Sequence, residues 1–236
     1  MPENAHEAVS RLYDDISGYY ESANSFLTLG LDLYWRRKAS RLLIKAKPGN
    51  IKILDACCGT GDFALSLLRT YGGRAEITAV DLNEKMLAKA SGRSSKIKFA
   101  LADAAKLPFP DDSFDAVTVS FAARNLARDR SEFPAILREF ARVLKKDGVF
   151  LNLETTRPEN FIIRNLMKTY VKLSIFLLNF ANRAGRTAYA FLGDTIGDFY
   201  GAKKLSEIIG EAGFGAVERT ILCPGAVAVH LGRKKQ

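Results

Sequence analysis

The sequence predicts an α/β fold, a mostly parallel sheet with helices on both faces. Three observations carry this. Short apolar runs alternate with helical patterns from residue 51 to residue 154, as βαβ crossovers require. Residues 51–62, I-K-I-L-D-A-C-C-G-T-G-D, join an apolar run to a helical pattern through a glycine turn. Asp81 closes the next apolar run, about twenty residues beyond that turn, the spacing of an acid that grips a ribose. With 236 residues and 47% hydrophobic side chains, the chain has material for one domain with a good core.

Residues 5–46 read as helices, and Pro48-Gly49 ends them. They form an N-terminal helical cap over 1–47, with Trp35-Arg36-Arg37-Lys38 inside it. Strands are expected at 51–56, 76–80, 96–101, 114–120 and 149–154. Helices follow the glycine turn, Asn83 and Ser131. Asn83 and Ser131 read as N-caps, and Glu132 suits a first turn. This cofactor-binding core spans 48–157.

After Glu154 the alternation stops. Residues 160–182 form a long apolar-rich helical pattern in which Arg164, Lys168 and Lys172 make one basic stripe. An interfacial helix would turn the stripe to anionic lipid and the apolar residues to acyl chains or an apolar ligand. A helix packed on the domain would leave the charges in water. This insertion, 158–202, is expected to face substrate or membrane. A helix at 203–212 and strands at 216–222 and 226–231, around Pro224-Gly225, return to the core over 203–236.

Composition narrows the setting. No basic start leads into an apolar stretch, so no signal peptide is visible. No uncharged apolar run nears the roughly 20 residues that span a bilayer. Three cysteines, two of them adjacent, give neither a disulfide framework nor metal-ligand spacing. A cytoplasmic protein able to touch membrane is expected. The net charge of +9 points to an anionic partner. No RNA-binding signature accompanies it, so nucleic acid is not expected.

The glycine turn carries the first chemistry. Gly59 and Gly61 let the backbone turn sharply and approach a ligand closely. With Asp81 at the end of the second strand, an adenosine-containing cofactor is indicated. The segment Gly59-Thr60-Gly61-Asp62-Phe63-Ala64 also satisfies the dinucleotide fingerprint, so NAD is one reading. A pyrophosphate there would meet Asp55 and Asp62. S-adenosylmethionine brings a sulfonium and an ammonium, which suit those carboxylates. Asp62 has an alternative role, favouring the first turn of a helix. Asp103-Ala104 follows the third strand, where a carboxylate or amide reads an adenine edge. Ser120 ends the fourth strand, and Phe121-Ala122-Ala123-Arg124-Asn125-Leu126 follows at the ligand edge.

On these residues the chain resembles the class I S-adenosylmethionine-dependent methyltransferases, and more narrowly the ubiquinone/menaquinone biosynthesis C-methyltransferase family. The shared elements are Leu29-Gly30-Leu31-Asp32, Trp35-Arg36-Arg37, the segment from Asp55 to Asp62, Arg124-Asn125 and Glu154 before Pro158. They continue with Tyr189-Ala190-Phe191-Leu192, Ala212-Gly213-Phe214 and Gly225-Ala226-Val227-Ala228-Val229-His230. The chain departs from the family at Tyr19-Tyr20-Glu21, where Tyr-Asp is usual. It departs again at Ala122-Ala123 before Arg124, where Gly-Leu is usual, and at Glu154-Thr155-Thr156, where Glu-Phe-Ser is usual. The resemblance implies a Rossmann-like fold with a seven-stranded sheet and S-adenosyl-L-methionine as methyl donor. It implies Asp55, Gly59, Thr60, Gly61, Asp81, Leu82, Asp103, Ala104, Ser120 and Arg36 as cofactor residues.

The same resemblance implies methylation of a ring carbon of a polyprenylated quinol. It leaves naphthoquinol and benzoquinol both open, and a homodimer with them. Ring carbon is a poor nucleophile until an adjacent phenol loses its proton, at a pKa of about 10 by analogy with tyrosine. Arg124 would supply a cationic field that favours the phenolate, and Asn125 would orient a hydroxyl or water. Arginine itself is no base, so a water or neighbouring carboxylate takes the proton. Tyr189 and His230 would be the substrate-side residues, and Tyr189 and Tyr19 would close over substrate or cofactor. Each has a plain packing role as its alternative, and His230 reads first as a satisfied strand histidine. Arg36 would meet the methionine carboxylate or lie on a solvated helix face. Cys57 and Cys58 read as small packing residues. A sterol, phospholipid-amine or RNA methyltransferase, and a binding protein that only retains the cofactor loop, are the other readings.

Overall fold

The computed structural model describes residues 25–127, 130–181 and 199–235. Seven strands form one sheet in the order β3-β2-β1-β4-β5-β7-β6. They are β1 (Ile51–Ala56), β2 (Ala75–Asp81), β3 (Ile97–Leu101), β4 (Phe114–Ser120), β5 (Leu144–Thr155), β6 (Glu218–Cys223) and β7 (Val227–Arg233). The helices are α1 (Leu31–Ala46), α2 (Asp62–Tyr71), α3 (Glu84–Ser91), α4 (Ala123–Leu126), α5 (Phe133–Val143), α6 (Phe161–Ala181) and α7 (Ala202–Glu211). Strands β1 to β5 run parallel, and β7 is antiparallel to both β5 and β6.

The expected strands at 51–56 and 114–120 match β1 and β4. The others shift by one or two residues, except β5, which starts five residues before its apolar run. Phe114 pairs with Leu144 ahead of a register shift. The charged Lys145-Lys146-Asp147 that follows hides this pairing from a hydrophobicity pattern. Asn83 caps α3, its side chain accepting from the Met86 amide at 2.9 Å. At α5 the cap position is Glu132 rather than Ser131, with Pro134 in the first turn, where a missing N–H costs nothing.

Alternation along the strands divides the core between the two faces. Leu54, Val117, Val119 and Phe150 pack with α5 and α7 on one side. Ile53, Ala116, Leu151 and Leu153 pack with α1 and α2 on the other. The crossover from β3 back to β4 uses the irregular residues 102–113. Arg142 pins it, donating to the carbonyl oxygens of Phe109 at 2.8 Å and Leu107 at 3.2 Å. The carboxyl ends of β1, β2 and β4 thereby gather at one edge, beside the start of α1.

Candidate active site

The cofactor end is built from the β1 and β2 termini. Gly59 and Gly61 adopt φ of 54° and 83°, left-handed values that glycine takes without strain. A Cβ on Gly61 would press to 3.3 Å on the Ala90 Cβ, whereas one on Gly59 would meet nothing within 4 Å. Gly61 thus serves packing, and Gly59 faces open space. Asp81 receives the Gly59 amide at 2.7 Å on one oxygen and the Asn83 amide at 2.9 Å on the other. Burial raises its pKa, and those amides oppose the rise. Leu82 sits half-buried beside it.

Asp55 lies behind the turn, 1% exposed. Thr118 donates to its Oδ1 at 2.7 Å, while Oδ2 is buried without a partner. Burial pushes its carboxyl up to about 7, against the lowering effects of the Thr118 hydroxyl and the Arg36 charge. Ser120 Oγ and Arg36 Nε are likewise buried and unpartnered. Buried polar groups are normally paired, so these atoms suit a polar ligand at this edge. An ammonium fits Asp55, and a pyrophosphate does not.

Several expectations are refined. The carboxylate of Asp62 is taken by Arg93 at 2.7 Å, and the Thr60 hydroxyl donates to the same side chain at 3.2 Å. Asp62 and Thr60 brace the turn, so the charge argument against a dinucleotide rests on Asp55. Asp103 accepts from the Ala105 amide at 2.8 Å, and Ala104 is a core residue. Burial first, then the Asp81 carboxylate, pushes the Cys57 and Cys58 thiols well above their ordinary range. A raised thiol pKa disfavours the nucleophilic thiolate.

A cavity of about 540 Å³ opens between α1, α6 and the β6–β7 turn. Its walls are mostly apolar, with Leu31, Trp35, Phe121, Ile163, Met167 and Val171 among them. Polar groups gather from Asp32, Arg36, Arg124 and Thr155. Arg36 is buried and paired with Asp32, and its guanidinium lies 5.1 Å from the Phe121 ring centroid. The solvated-face alternative for Arg36 is therefore excluded. Arg124 Nη1 donates to Glu154 Oε1 at 2.8 Å, in a pair whose side chains are 4% and 0% exposed. The cavity thus adjoins Phe121, the residue after Ser120, and meets the cofactor edge there.

Asn125 follows Arg124 on α4 but is not among the cavity-lining residues. His230, read as a substrate contact from the resemblance, is instead fully buried in β7 and does not line the cavity. Its Nε2 donates to the Ala202 carbonyl at 2.9 Å, and burial lowers its pKa to about 4. It is a buried strand histidine with one ring nitrogen paired, while Nδ1 is buried without a hydrogen bond among the described residues. Tyr19 and Tyr189 lie outside the described residues. The sequence reading missed Asp32 as the partner of Arg36, although the i, i+4 spacing carried that signal. It also missed Thr118 beside Asp55, where pairing across β1 and β4 brings together residues 63 positions apart. No local pattern shows that contact.

Known proteins place this geometry. At 36% identity, a demethylmenaquinone methyltransferase of Lactobacillus johnsonii aligns over 97% of this chain and 93% of its own length. One from Geobacillus kaustophilus is 33% identical over the whole of both chains. A solved S-adenosylmethionine-dependent methyltransferase from Thermotoga maritima shares the fold with a TM-score of 0.63 at 20% identity, covering 95% of this chain and 99% of that one. The model of the ubiE/COQ5 methyltransferase family matches residues 1–234. With its cofactor turn, buried acid and apolar cavity, the chain belongs to the ubiE/COQ5 methyltransferase family and is an S-adenosylmethionine-dependent methyltransferase.

Proposed function

We propose that the protein methylates a ring carbon of a polyprenylated quinol, with demethylated naphthoquinol as the acceptor. The cavity carries this reading. It is apolar enough for a prenylated ring, and its polar residues lie beside the cofactor edge. Two relatives that align over all or nearly all of the chain are named demethylmenaquinone methyltransferases. A benzoquinol, the acceptor of the ubiquinone branch, is the second reading.

S-adenosylmethionine supplies an electrophilic methyl on a sulfonium. Asp55 Oδ2 would take its ammonium, Asp81 would take ribose hydroxyls with the lone pairs left on its two oxygens, and Arg36 would meet its carboxylate. Arg124 lines the cavity, so a ring hydroxyl turned toward it would meet its guanidinium. Its fixed positive charge lowers the phenol pKa and favours the phenolate, which puts electron density on the adjacent ring carbon. The phenol proton would go to a water or neighbouring carboxylate, and methyl transfer would break one sulfur–carbon bond and form one carbon–carbon bond. The ring hydrogen leaves to water as a proton, and aromaticity returns. Holding the ring in the apolar cavity provides orientation.

The cavity mouth supports membrane contact. Phe161, Ile162, Leu166, Leu173 and Phe176 are exposed on α6, and Leu29, Leu31 and Leu33 are exposed at the start of α1. Lys168 and Lys172 stand exposed on the same helix. This is an apolar rim with basic neighbours, which suits an anionic bilayer that delivers a prenylated lipid. No helix among the described residues is long and apolar enough to cross a membrane.

The deciding assay gives purified protein S-adenosylmethionine and reduced demethylated naphthoquinol, reduced benzoquinol or soluble acceptors, with products read by mass spectrometry. Turnover of naphthoquinol above the others is expected. Turnover of only a soluble acceptor would reject the quinol reading. Cosedimentation with anionic vesicles that weakens in salt is expected of the membrane contact. No cosedimentation at low salt would reject it.

A further inference from the structure

We propose that Glu154 is a positioning residue that fixes the Arg124 guanidinium against the acceptor. The proposal rests on the reading of Arg124 given above and extends it to a second side chain. Glu154 grips Arg124 at both ends. Its Oε1 accepts from Nη1 at 2.8 Å, and its Oε2 accepts from the backbone amide at 3.2 Å. Oε1 also accepts from the amide and the hydroxyl of Thr155, at 2.8 and 2.9 Å. The same Thr155 hydroxyl lies 3.5 Å from Arg124 Nη1 and lines the cavity.

The architecture explains why such a clamp is needed. Arg124 sits on α4, a helix of only four residues, too short to be rigid by itself. Glu154 sits near the end of β5, whose neighbours β4 and β7 hold it on both sides. The carboxylate transfers the stiffness of the sheet to a side chain carried by a weak turn, as a positioned catalytic group requires. Stability alone does not account for the pair. A fully buried ion pair contributes little net stability, and apolar replacements of similar volume often serve as well.

The clamp has a chemical signature. A guanidinium held at the acceptor hydroxyl lowers that hydroxyl's pKa, so the acid limb of kcat reports where the guanidinium stands. Glu154→Gln removes the charge and keeps the shape. If Glu154 positions Arg124, the guanidinium drifts and the acceptor pKa rises. The acid limb then moves to higher pH and kcat falls roughly 10- to 100-fold, the effect of a misplacement of about an ångström. The KM for cofactor stays within about twofold. If Glu154 only damps the charge of Arg124, its removal strengthens the field and the limb moves to lower pH, which overturns the proposal. An unmoved limb with unchanged kcat overturns it too.

A second variant separates this outcome from failure of the underlying reading. Arg124→Met with Glu154→Met removes both charges together and is expected to fold, checked by circular dichroism and thermal melting. It should bind S-adenosylmethionine normally in calorimetry and lose turnover. Retained turnover in the double variant would reject the role of Arg124 itself. A dead double variant beside a Glu154→Gln enzyme of unchanged kcat and limb would reject only the clamp.

Discussion

Asp55 is the residue whose environment and task are most closely joined. Its carboxyl sits at about 7 because the sheet and α2 exclude water. Below that pH the free protein holds it protonated. On the proposed assignment, a cation at Oδ2 favours the ionised form, so cofactor binding would release a proton. Asp55→Asn is expected to weaken S-adenosylmethionine binding roughly 10- to 100-fold, the worth of a charge-assisted hydrogen bond. The variant should also flatten the affinity between about pH 6 and about pH 8. Calorimetry in two buffers of different ionisation heat measures both effects. A wild-type affinity that is flat over this range, with no proton released, would contradict the assignment.

At the scale of elements, the β6–β7 turn is the wall most sensitive to substitution. Gly225 has φ of 70°, and a Cβ there would stand 3.1 Å from the Pro158 Cα. Thr156 donates to the Gly225 carbonyl at 2.9 Å and fixes the turn against the cavity. Gly225→Ala is expected to cost about 1–2 kcal/mol from the left-handed backbone alone. It should lower the melting temperature by several degrees and raise the acceptor KM, since Pro224 and Ala226 line the wall. An unchanged melting curve would refute the close approach.

The same scale shows what was legible beforehand. Strand alternation and the glycine turn announced β1, α2, β2 and the cofactor edge, because each is a local pattern. The cavity was not legible. It joins Asp32 on α1, Thr155 after the Glu154 carboxylate and Cys223 at the end of β6, and only sheet order brings those positions together. Arg124 was found from motif and position, but its partner Glu154 lies 30 residues away. His230 shows the opposite case. The resemblance set it on the substrate side, whereas a strand position puts it in the sheet, where it is fully buried.

Two buried groups shape the stability of the whole molecule in opposite directions. Asp55 titrates at about 7 against an ordinary 3.8, so the folded protein gains stability as pH falls through 7 toward 4. His230 titrates at about 4 against 6.5, so the folded protein loses stability as pH falls below 6.5. Each effect is on the order of 3–4 kcal/mol at full extent, and they largely cancel in between. Cofactor bound as proposed would keep Asp55 ionised and leave the His230 loss unopposed. The melting temperature of the free protein should therefore change little between about pH 6.5 and about pH 5. The gain given by S-adenosylmethionine should shrink over that interval. Scanning fluorimetry across pH tests this, and a cofactor gain that grows toward acid would refute it.

The sheet order also sets a schedule for synthesis. Strand β7 follows β6 in the chain yet lies between β5 and β6. A nascent chain that has emerged only through Cys223 leaves β6 with no neighbour and β5 with one edge open. That edge spans the strand that carries Glu154, and its inward residues Leu151 and Leu153 belong to the core. Unpaired apolar edges recruit other chains. A stop codon just before residue 227 would remove one short strand, and its product would be an aggregate rather than a trimmed enzyme.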